Sequence, residues 1–222
     1  MNNKSVKGSM ISGNPAKELI IFAIPMILGN LFQQFYNIAD SVIVGKFLGP
    51  DALAAVGASN SITTLFVMVA IGTGIGCSVI ISQLFGAGRM KDVKSSISTA
   101  LIAIFAFSLI LSTIGFMLSG NILKWMHTPS DVYEEADKYL KIYFLGFAFL
   151  FMYNAFNAVF NALGDSAKPL VFLIFSSVLN IGLDILFVWK FEWGVAGAAW
   201  ATLIAQAVSA IISFIVLIHK IR

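Results

Sequence analysis

Six long apolar segments run through this chain, separated by short stretches that are polar or contain glycine and proline. Each is near or beyond the roughly 20 residues that an α-helix needs to cross hydrocarbon, and none alternates like a β-strand. The pattern predicts an all-α membrane protein, a bundle of six transmembrane helices. The segments lie at roughly 17–43, 53–84, 95–119, 133–162, 169–190 and 195–218, with ends defined to within a few residues.

Turn and cap residues divide the chain accordingly. Asn14-Pro15 is a typical start for the first helix, and Gly49-Pro50 separates the first helix from the second. We therefore expect residues 1–14 to form an N-terminal tail and 15–219 to form one six-helix lobe. Residues 220–222 are expected to be the cytoplasmic end of a truncated chain.

Composition supports a membrane protein and argues against other classes. Hydrophobic residues make up 59% of the chain and charged residues 11%, with a mean hydropathy of +0.90. A soluble domain has about a quarter charged residues. The net charge is only +3 and the basic residues are scattered through short connections, so no nucleic-acid partner is expected. The lipid bilayer is the expected environment.

The distribution of basic residues predicts the orientation. Six spans place both termini on one side, and basic residues are more frequent on that side. Because short cytoplasmic loops are enriched in Lys and Arg, the chain is predicted to be a multi-pass plasma-membrane protein with both termini in the cytoplasm. That side carries Lys4, Lys7, Lys17, Arg89, Lys91, Lys94, Lys168, Lys220 and Arg222, and the other carries Lys46, Lys124, Lys138, Lys141 and Lys190.

Asp40 and Asp184 lie within apolar spans, where a charged side chain costs roughly 2.5–3.5 kcal/mol. Ser176, Asn180 and Asp184 recur every four residues and so share one face of the fifth helix. Lipid would penalise such stripes, so we expect them to converge on an interior cavity. Similar stripes occur on three other helices: Asn30, Gln33, Gln34, Asn37 and Asp40; Tyr153, Asn154, Asn157 and Asn161; and Thr202, Gln206, Ser209 and Ser213.

Carboxylates with amide and hydroxyl oxygens are ligands for hard cations such as Na⁺. Two carboxylates in a desolvated cavity also bind a proton readily. A cation and a proton would then compete for one site, which is the physical basis of an antiporter. Its cargo would be an amphipathic, often cationic molecule held by aromatic and methionine side chains.

Other interpretations stay open at this point. Polar side chains in membrane helices often join neighbouring helices through hydrogen bonds of about 0.6 kcal/mol. No intramembrane Lys or Arg is present to neutralise Asp40 or Asp184, which disfavours a purely structural ion pair. No nucleophile–base set, Walker sequence or Cys–His metal cluster is evident, so neither an enzyme nor an ATP-driven pump is expected, and no cofactor beyond the coupling ion.

Several motifs, in this order and spacing, resemble the N-terminal lobe of MATE (multidrug and toxic compound extrusion) transporters over roughly residues 15–218. They are Pro25, Asp40, Ser82-Gln83-Leu84-Phe85-Gly86-Ala87-Gly88, Asn161-Ala162-Leu163-Gly164-Asp165 before Pro169, Asn180-Ile181-Gly182-Leu183-Asp184, and Gly194-Val195-Ala196-Gly197-Ala198-Ala199-Trp200-Ala201-Thr202.

The resemblance implies an exporter of organic cations driven by inward Na⁺ or H⁺. By similarity, the cation site comprises Asp40, Asn180, Asp184 and Thr202. Tyr139, Asn154 and Asn157 extend the polar network, and Gln34 lines the cavity. Family members usually have twelve helices in two six-helix lobes, whereas this chain has six. A second lobe, from a missing half or another chain, is therefore an expected partner.

Two alternatives to efflux remain. One is an inactive fragment or a membrane scaffold without transport, in which the stripes only pack helices. The other is a lipid-linked oligosaccharide flippase of related architecture, which the lack of intramembrane Lys or Arg for a diphosphate disfavours. Substrate identity and the choice between Na⁺ and H⁺ are not determined by the sequence.

Overall fold

Helices form nearly all of residues 15–221, the part of the chain that this computed structural model describes. Five helices are long and apolar enough to cross a membrane, and α4 and α5 make a sixth, bent crossing when they are taken together as one span, which gives the number that the apolar pattern predicts. The predicted tail, residues 1–14, and Arg222 lie outside the described residues. The helices are α1 (Pro15–Leu48), α2 (Pro50–Gly86), α3 (Met90–Trp125), α4 (Ser130–Leu145), α5 (Phe147–Ala162), α6 (Ala167–Asp184) and α7 (Gly194–Ile221).

The fourth span is broken, so the prediction of one helix over 133–162 is wrong in this respect. α4 and α5 meet at Gly146 and are inclined by 52° to each other. Gly146 is buried against Leu203 of α7, and a Cβ at Gly146 would lie 2.9 Å from Leu203 Cγ. The missing side chain therefore lets α7 approach the chain at the bend.

Aromatic packing surrounds this bend. Phe144, Phe147 and Phe151 are all fully buried. Phe66 of α2 meets the rings of Phe144 and Phe147 edge-on, with centroids 5.2 Å and 5.1 Å apart. Such pairs contribute roughly 0.5–1.5 kcal/mol each beyond their buried area. The cluster therefore fixes the direction in which α4 and α5 leave the bend.

The sixth helix changes geometry at Asp184. It continues as a π-helical segment, Ile185–Lys190, and the chain then reverses through residues of positive φ, Glu192 (56°) and Gly194 (63°). π-Helical turns are rare and often occur at functional sites. Asp184 is thus the last residue of regular α-helix before the irregular turn.

α1 lies at the edge of the bundle and packs mainly on α6. Ile43 and Val44 are buried against Val188 and Val195, whereas most of the large apolar side chains of α1 are exposed. α1 is therefore most deeply buried near its C-terminal end, and its exposed side is available to lipid or another protein.

Candidate cation site

Asp184 occupies the interior of the bundle. Its exposed fraction is 0%, and that of Asn180, one turn earlier on α6, is 1%. Residues four apart lie on the same side of a helix, and this side of α6 faces α7. The stripe predicted on the fifth span therefore lies in the core, although Ser176 is only half-buried while Ser177 is buried.

One hydrogen bond joins α6 to α7 at this site. Asn180 Nδ2 donates to Thr202 Oγ1 over 3.2 Å, and both side chains are buried. Since the amide donates here, its carbonyl oxygen is turned away from Thr202. Asn180 and Thr202, which the sequence places 22 residues apart, thus form one wall of the site.

Asp40 completes the site from α1. Its carboxyl group lies directly beside that of Asp184, although 144 residues separate the two in sequence. Within residues 15–221, none of the ion pairs involves either aspartate. Two carboxyl groups therefore face each other without a basic side chain to balance them. We call Asp40 and Asp184 the carboxylate pair.

Two tyrosines lie beside the carboxylate pair, and a third packs on one of them. Tyr139 of α4 is buried, lies close to both aspartates and stacks on Tyr143 with ring centroids 6.1 Å apart. Tyr36 of α1 lies beside Thr202 and close to Asp40. Tyr139 was predicted from the sequence, whereas Tyr36 and Tyr143 were not. Tyr36 precedes Asp40 by four residues, so its position on the same helical face was a usable signal.

Several oxygens at the site have no hydrogen-bond donor among the described residues. They are Asp40 Oδ1, Asn180 Oδ1 and both carboxylate oxygens of Asp184. Leaving a buried polar group unpaired costs roughly 1–3 kcal/mol, and more for a charged group. A cluster of oxygen acceptors without donors fits a hard cation or a proton, because either one would satisfy several of these atoms together. The site is therefore chemically suited to Na⁺ or H⁺.

The other predicted polar residues divide into two groups. Asn154 and Asn157 are half-buried on α5: Asn154 Nδ2 donates to Leu150 O over 2.9 Å, and Asn157 lies beside Tyr153 with its Oδ1 unpartnered. By contrast, Gln34 and Asn37 are exposed on α1. Asn37 contributes to the lining of an open cavity of about 740 Å³ between α1 and the start of α2, at the edge of the lobe.

Comparison with known proteins agrees with this architecture. The MatE family profile matches residues 25–186. The probable multidrug resistance protein YpnP of Bacillus subtilis is 36% identical over 210 residues, which cover 94% of this chain and 47% of that protein. The probable multidrug resistance protein NorM of Thermotoga maritima is 30% identical over 199 residues, covering 87% and 42% respectively.

A solved structure matches as well. The crystal structure of a MATE protein in the bent conformation superposes with a TM-score of 0.87 at 27% identity, covering 96% of this chain and 47% of that one. The chain thus spans about half the length of the relatives it matches, and corresponds to one lobe of such a transporter. On the profile match and the identity to these relatives, the chain belongs to the MatE family of membrane transporters.

Proposed function

We propose that this chain is the ion-binding lobe of a secondary active efflux transporter, in which Na⁺ or H⁺ binds at the carboxylate pair and drives export of organic cations. The observation that carries the proposal is the fully buried Asp184 beside the half-buried Asp40, with unpartnered buried oxygens on both and no basic partner among the described residues. Retaining such a pair is costly in a membrane protein, so a functional role is the default interpretation.

Coupling follows from the position of the two aspartates. Asp40 is on α1, at the edge of the bundle, whereas Asp184 is on α6, inside it. Without a cation or proton the two carboxylates repel each other, and binding converts the repulsion into attraction through the shared ion. Ion binding and release would therefore change the position of α1 relative to α6. Because most of the large apolar side chains of α1 are exposed, a change in its position disturbs few core contacts.

Cargo export requires more than this lobe. Gln34 and Asn37 are exposed on α1, and the open cavity at Asn37 has no opposing wall within the described residues. We propose that a second six-helix lobe packs against this side, and that an amphipathic cation binds between the lobes. We propose that the transporter lies in the plasma membrane with both termini in the cytoplasm, an orientation that the positive-charge bias supports.

The first test is Na⁺ binding to the purified chain in detergent across pH, with Asp40→Asn and Asp184→Asn beside it. We expect saturable binding that weakens as pH falls, because protons compete for the same oxygens, and that is lost in both variants. Asp92→Asn is the matched control, since Asp92 pairs with Arg89 on the surface over 2.7 Å. Binding that persists in Asp184→Asn would overturn the assignment of the site.

If no Na⁺ binds at any pH, the same variants decide whether the site takes a proton. Infrared difference spectra between acid and neutral pH should then show a protonated carboxylic acid that disappears in both Asn variants. The absence of this signal together with absent Na⁺ binding would refute the proposed function and favour an inactive or scaffolding protein.

A further inference from the structure

Beyond the carboxylate pair, five buried oxygens lie closer to the terminal face, which we define as the side of the bundle where α1 begins and α7 ends. None of these oxygens has a hydrogen-bond partner within residues 15–221. They come from three helices that pack together, α5, α6 and α7. We call them the polar track: Asn157 Oδ1, Asn161 Oδ1, Ser177 Oγ, Ser209 Oγ and Ser213 Oγ.

The helical geometry aligns these atoms with the cation site. Ser209 and Ser213 follow Thr202 by seven and eleven residues, which places each of them within about 20° of Thr202 on one side of α7. Because Thr202 meets Asn180, this is the side that faces α6. Ser177 precedes Asp184 by seven residues and is likewise within about 20° of it on α6. The serines therefore continue the walls of the site toward the terminal face.

The spacing along the helices gives the length of the track. With a rise of 1.5 Å per residue, Ser177 lies about 10 Å from Asp184 along α6, and Ser213 about 16 Å from Thr202 along α7. On α5, Asn161 is one turn from the loop that contains Asp165. At the end of the track nearest the terminal face, Phe160, Phe172 and Leu217 belong to one buried apolar cluster. The track is closed at that end in this conformation.

The serines of the track differ from other buried serines of the bundle. A serine within a membrane helix commonly returns its hydroxyl to a carbonyl of its own helix. Ser108, which is fully buried on α3, does so by donating to Phe105 O over 2.7 Å. Ser209 and Ser213 are equally buried, with exposed fractions of 1% and 0%. Neither hydroxyl donates to a carbonyl of its own helix. Their hydroxyls are therefore available to a ligand rather than to the backbone.

The energetic cost indicates what that ligand is. Leaving a buried polar group unpaired is unfavourable, and five such groups in one region would be a large penalty for a membrane protein. Water makes about three hydrogen bonds in such places and fits sites lined by several polar atoms. Amide and hydroxyl oxygens also suit a hard cation that passes between them.

We propose that the polar track is a hydrated pathway along which Na⁺ or a proton moves between the carboxylate pair and the terminal face. The part of this proposal that concerns the ion rests on the proposed function of Asp40 and Asp184, whereas hydration of the track does not. The apolar cluster at Phe160, Phe172 and Leu217 is then the barrier that must open before the ion is exchanged with solution.

Cysteine accessibility tests the hydration directly. In a Cys77→Ala background, which removes the native thiol, Ser209→Cys and Ser213→Cys are compared with Ser108→Cys as an equally buried control. Membrane vesicles receive 2-aminoethyl methanethiosulfonate on the terminal face, with a thiol scavenger on the other side. We expect both track cysteines to react at least about tenfold faster than the control, which corresponds to a barrier lower by about 1.4 kcal/mol.

Equal reaction rates at the track and control cysteines would overturn the proposal, whether or not the carboxylate pair binds an ion. Size-exclusion chromatography confirms that each variant is folded, and Ser→Cys is nearly isosteric. If the rates differ as expected while the wild-type chain binds neither Na⁺ nor a proton, the track is hydrated but the proposed function is wrong. The two failures are thus distinguishable.

The second measurement separates a pathway from a binding site. The double variant Ser209→Val, Ser213→Val is compared with wild type for the rate of ²²Na⁺ release and for its equilibrium affinity. Removing two oxygens from a pathway should slow release about tenfold and leave the dissociation constant within about twofold, because only the barrier changes. A weaker affinity with an unchanged or faster release would show that the serines are ligands and would overturn the pathway.

Discussion

Ser166 Oγ donates a hydrogen bond of 2.8 Å to the backbone carbonyl of Phe22, which lies 144 residues earlier in the sequence. Phe22 is in the turn of α1 that precedes Pro25. A proline inside a helix removes a backbone N–H and disturbs the turn before it, leaving carbonyl groups poorly paired. The buried hydroxyl of Ser166 donates within this disturbed turn and ties it to the loop between α5 and α6.

Ser166→Ala should remove the hydrogen bond between this loop and α1. We expect the variant to lose about 1 kcal/mol of stability, because the carbonyl of the half-buried Phe22 loses a hydrogen-bond donor. Thermal unfolding of the purified chain in detergent measures the change. Ser82→Ala serves as the control, since Ser82 is exposed and bonds only to Val79 O of its own helix. Equal melting temperatures for the two variants would show that the Ser166 bond does not stabilise the fold.

The ion pairs of Asp165, the residue before Ser166, should make the stability of the protein depend on pH. Lys220 Nζ and Lys168 Nζ lie 2.6 Å and 3.3 Å from Asp165 Oδ2. Burial by itself raises the pKa of Asp165, but the two lysines outweigh it and hold the pKa below its usual value. A carboxyl group with a lowered pKa in the folded state stabilises the protein above its unfolded pKa of about 4 and loses this contribution as pH falls.

The expected result is a lower unfolding temperature for Asp165→Asn than for wild type at pH 7, by an amount that shrinks as pH falls below about 4. The ion pair is partly exposed, so we expect only about 1 kcal/mol at neutral pH. Glu192→Gln, at an exposed position with no ion pair among the described residues, is the control. A difference between Asp165→Asn and wild type that does not change with pH would contradict this account.

Thr202 offers a test of the cation site that keeps both carboxylates. Thr202→Val preserves the shape but removes the hydroxyl that accepts from Asn180 Nδ2. We expect the affinity for Na⁺ to fall by about fivefold to tenfold, which is the effect of about 1 kcal/mol. Thr202→Ser, which retains the hydroxyl, should recover most of the affinity in the same binding assay. Equal affinity in Thr202→Val and wild type would remove Thr202 from the site.

Gly115 should not tolerate a side chain. It is buried on α3 against Phe144, and a Cβ at this position would overlap the phenyl ring. Gly115→Ala should therefore destabilise the protein by roughly 1–3 kcal/mol through overpacking. Gly72→Ala is the matched control, because a Cβ there has no neighbour within 4 Å. Denaturant titration in mixed micelles compares the two, and a smaller loss for Gly115→Ala would contradict the packing at the bend.

The apolar pattern was sufficient for the helical architecture, because a segment that crosses hydrocarbon must satisfy its backbone internally. It did not reveal the bend at Gly146. The hydrophobic sequence continues through residues 133–162 without interruption, and the break depends on the approach of Leu203 from another helix. A local pattern contains no information about which distant side chain fills the space beside a glycine.

The residues of the cation site likewise divide into those that the sequence identified and those that it did not. Asp40, Asn180 and Asp184 were identifiable from sequence because a polar side chain in an apolar helix is conspicuous on energetic grounds. Tyr36 and Tyr143 were missed, since a tyrosine is compatible with an apolar interior and its hydroxyl does not stand out in a hydrophobic segment. Whether a polar residue of α1 faces the core or the surface was also undetermined, and the structure leaves Gln34 and Asn37 exposed while Asp40 lies beside Asp184.

The sequence by itself determined that this is a membrane-embedded helical lobe with two costly carboxylates, because insertion energies act on each segment separately. Only the tertiary structure decided that these carboxylates meet, that Thr202 and Asn180 join beside them, and that three serines continue the same wall. These relationships depend on how α1, α6 and α7 are rotated and packed against each other, and that packing is set by the side chains of all the helices together.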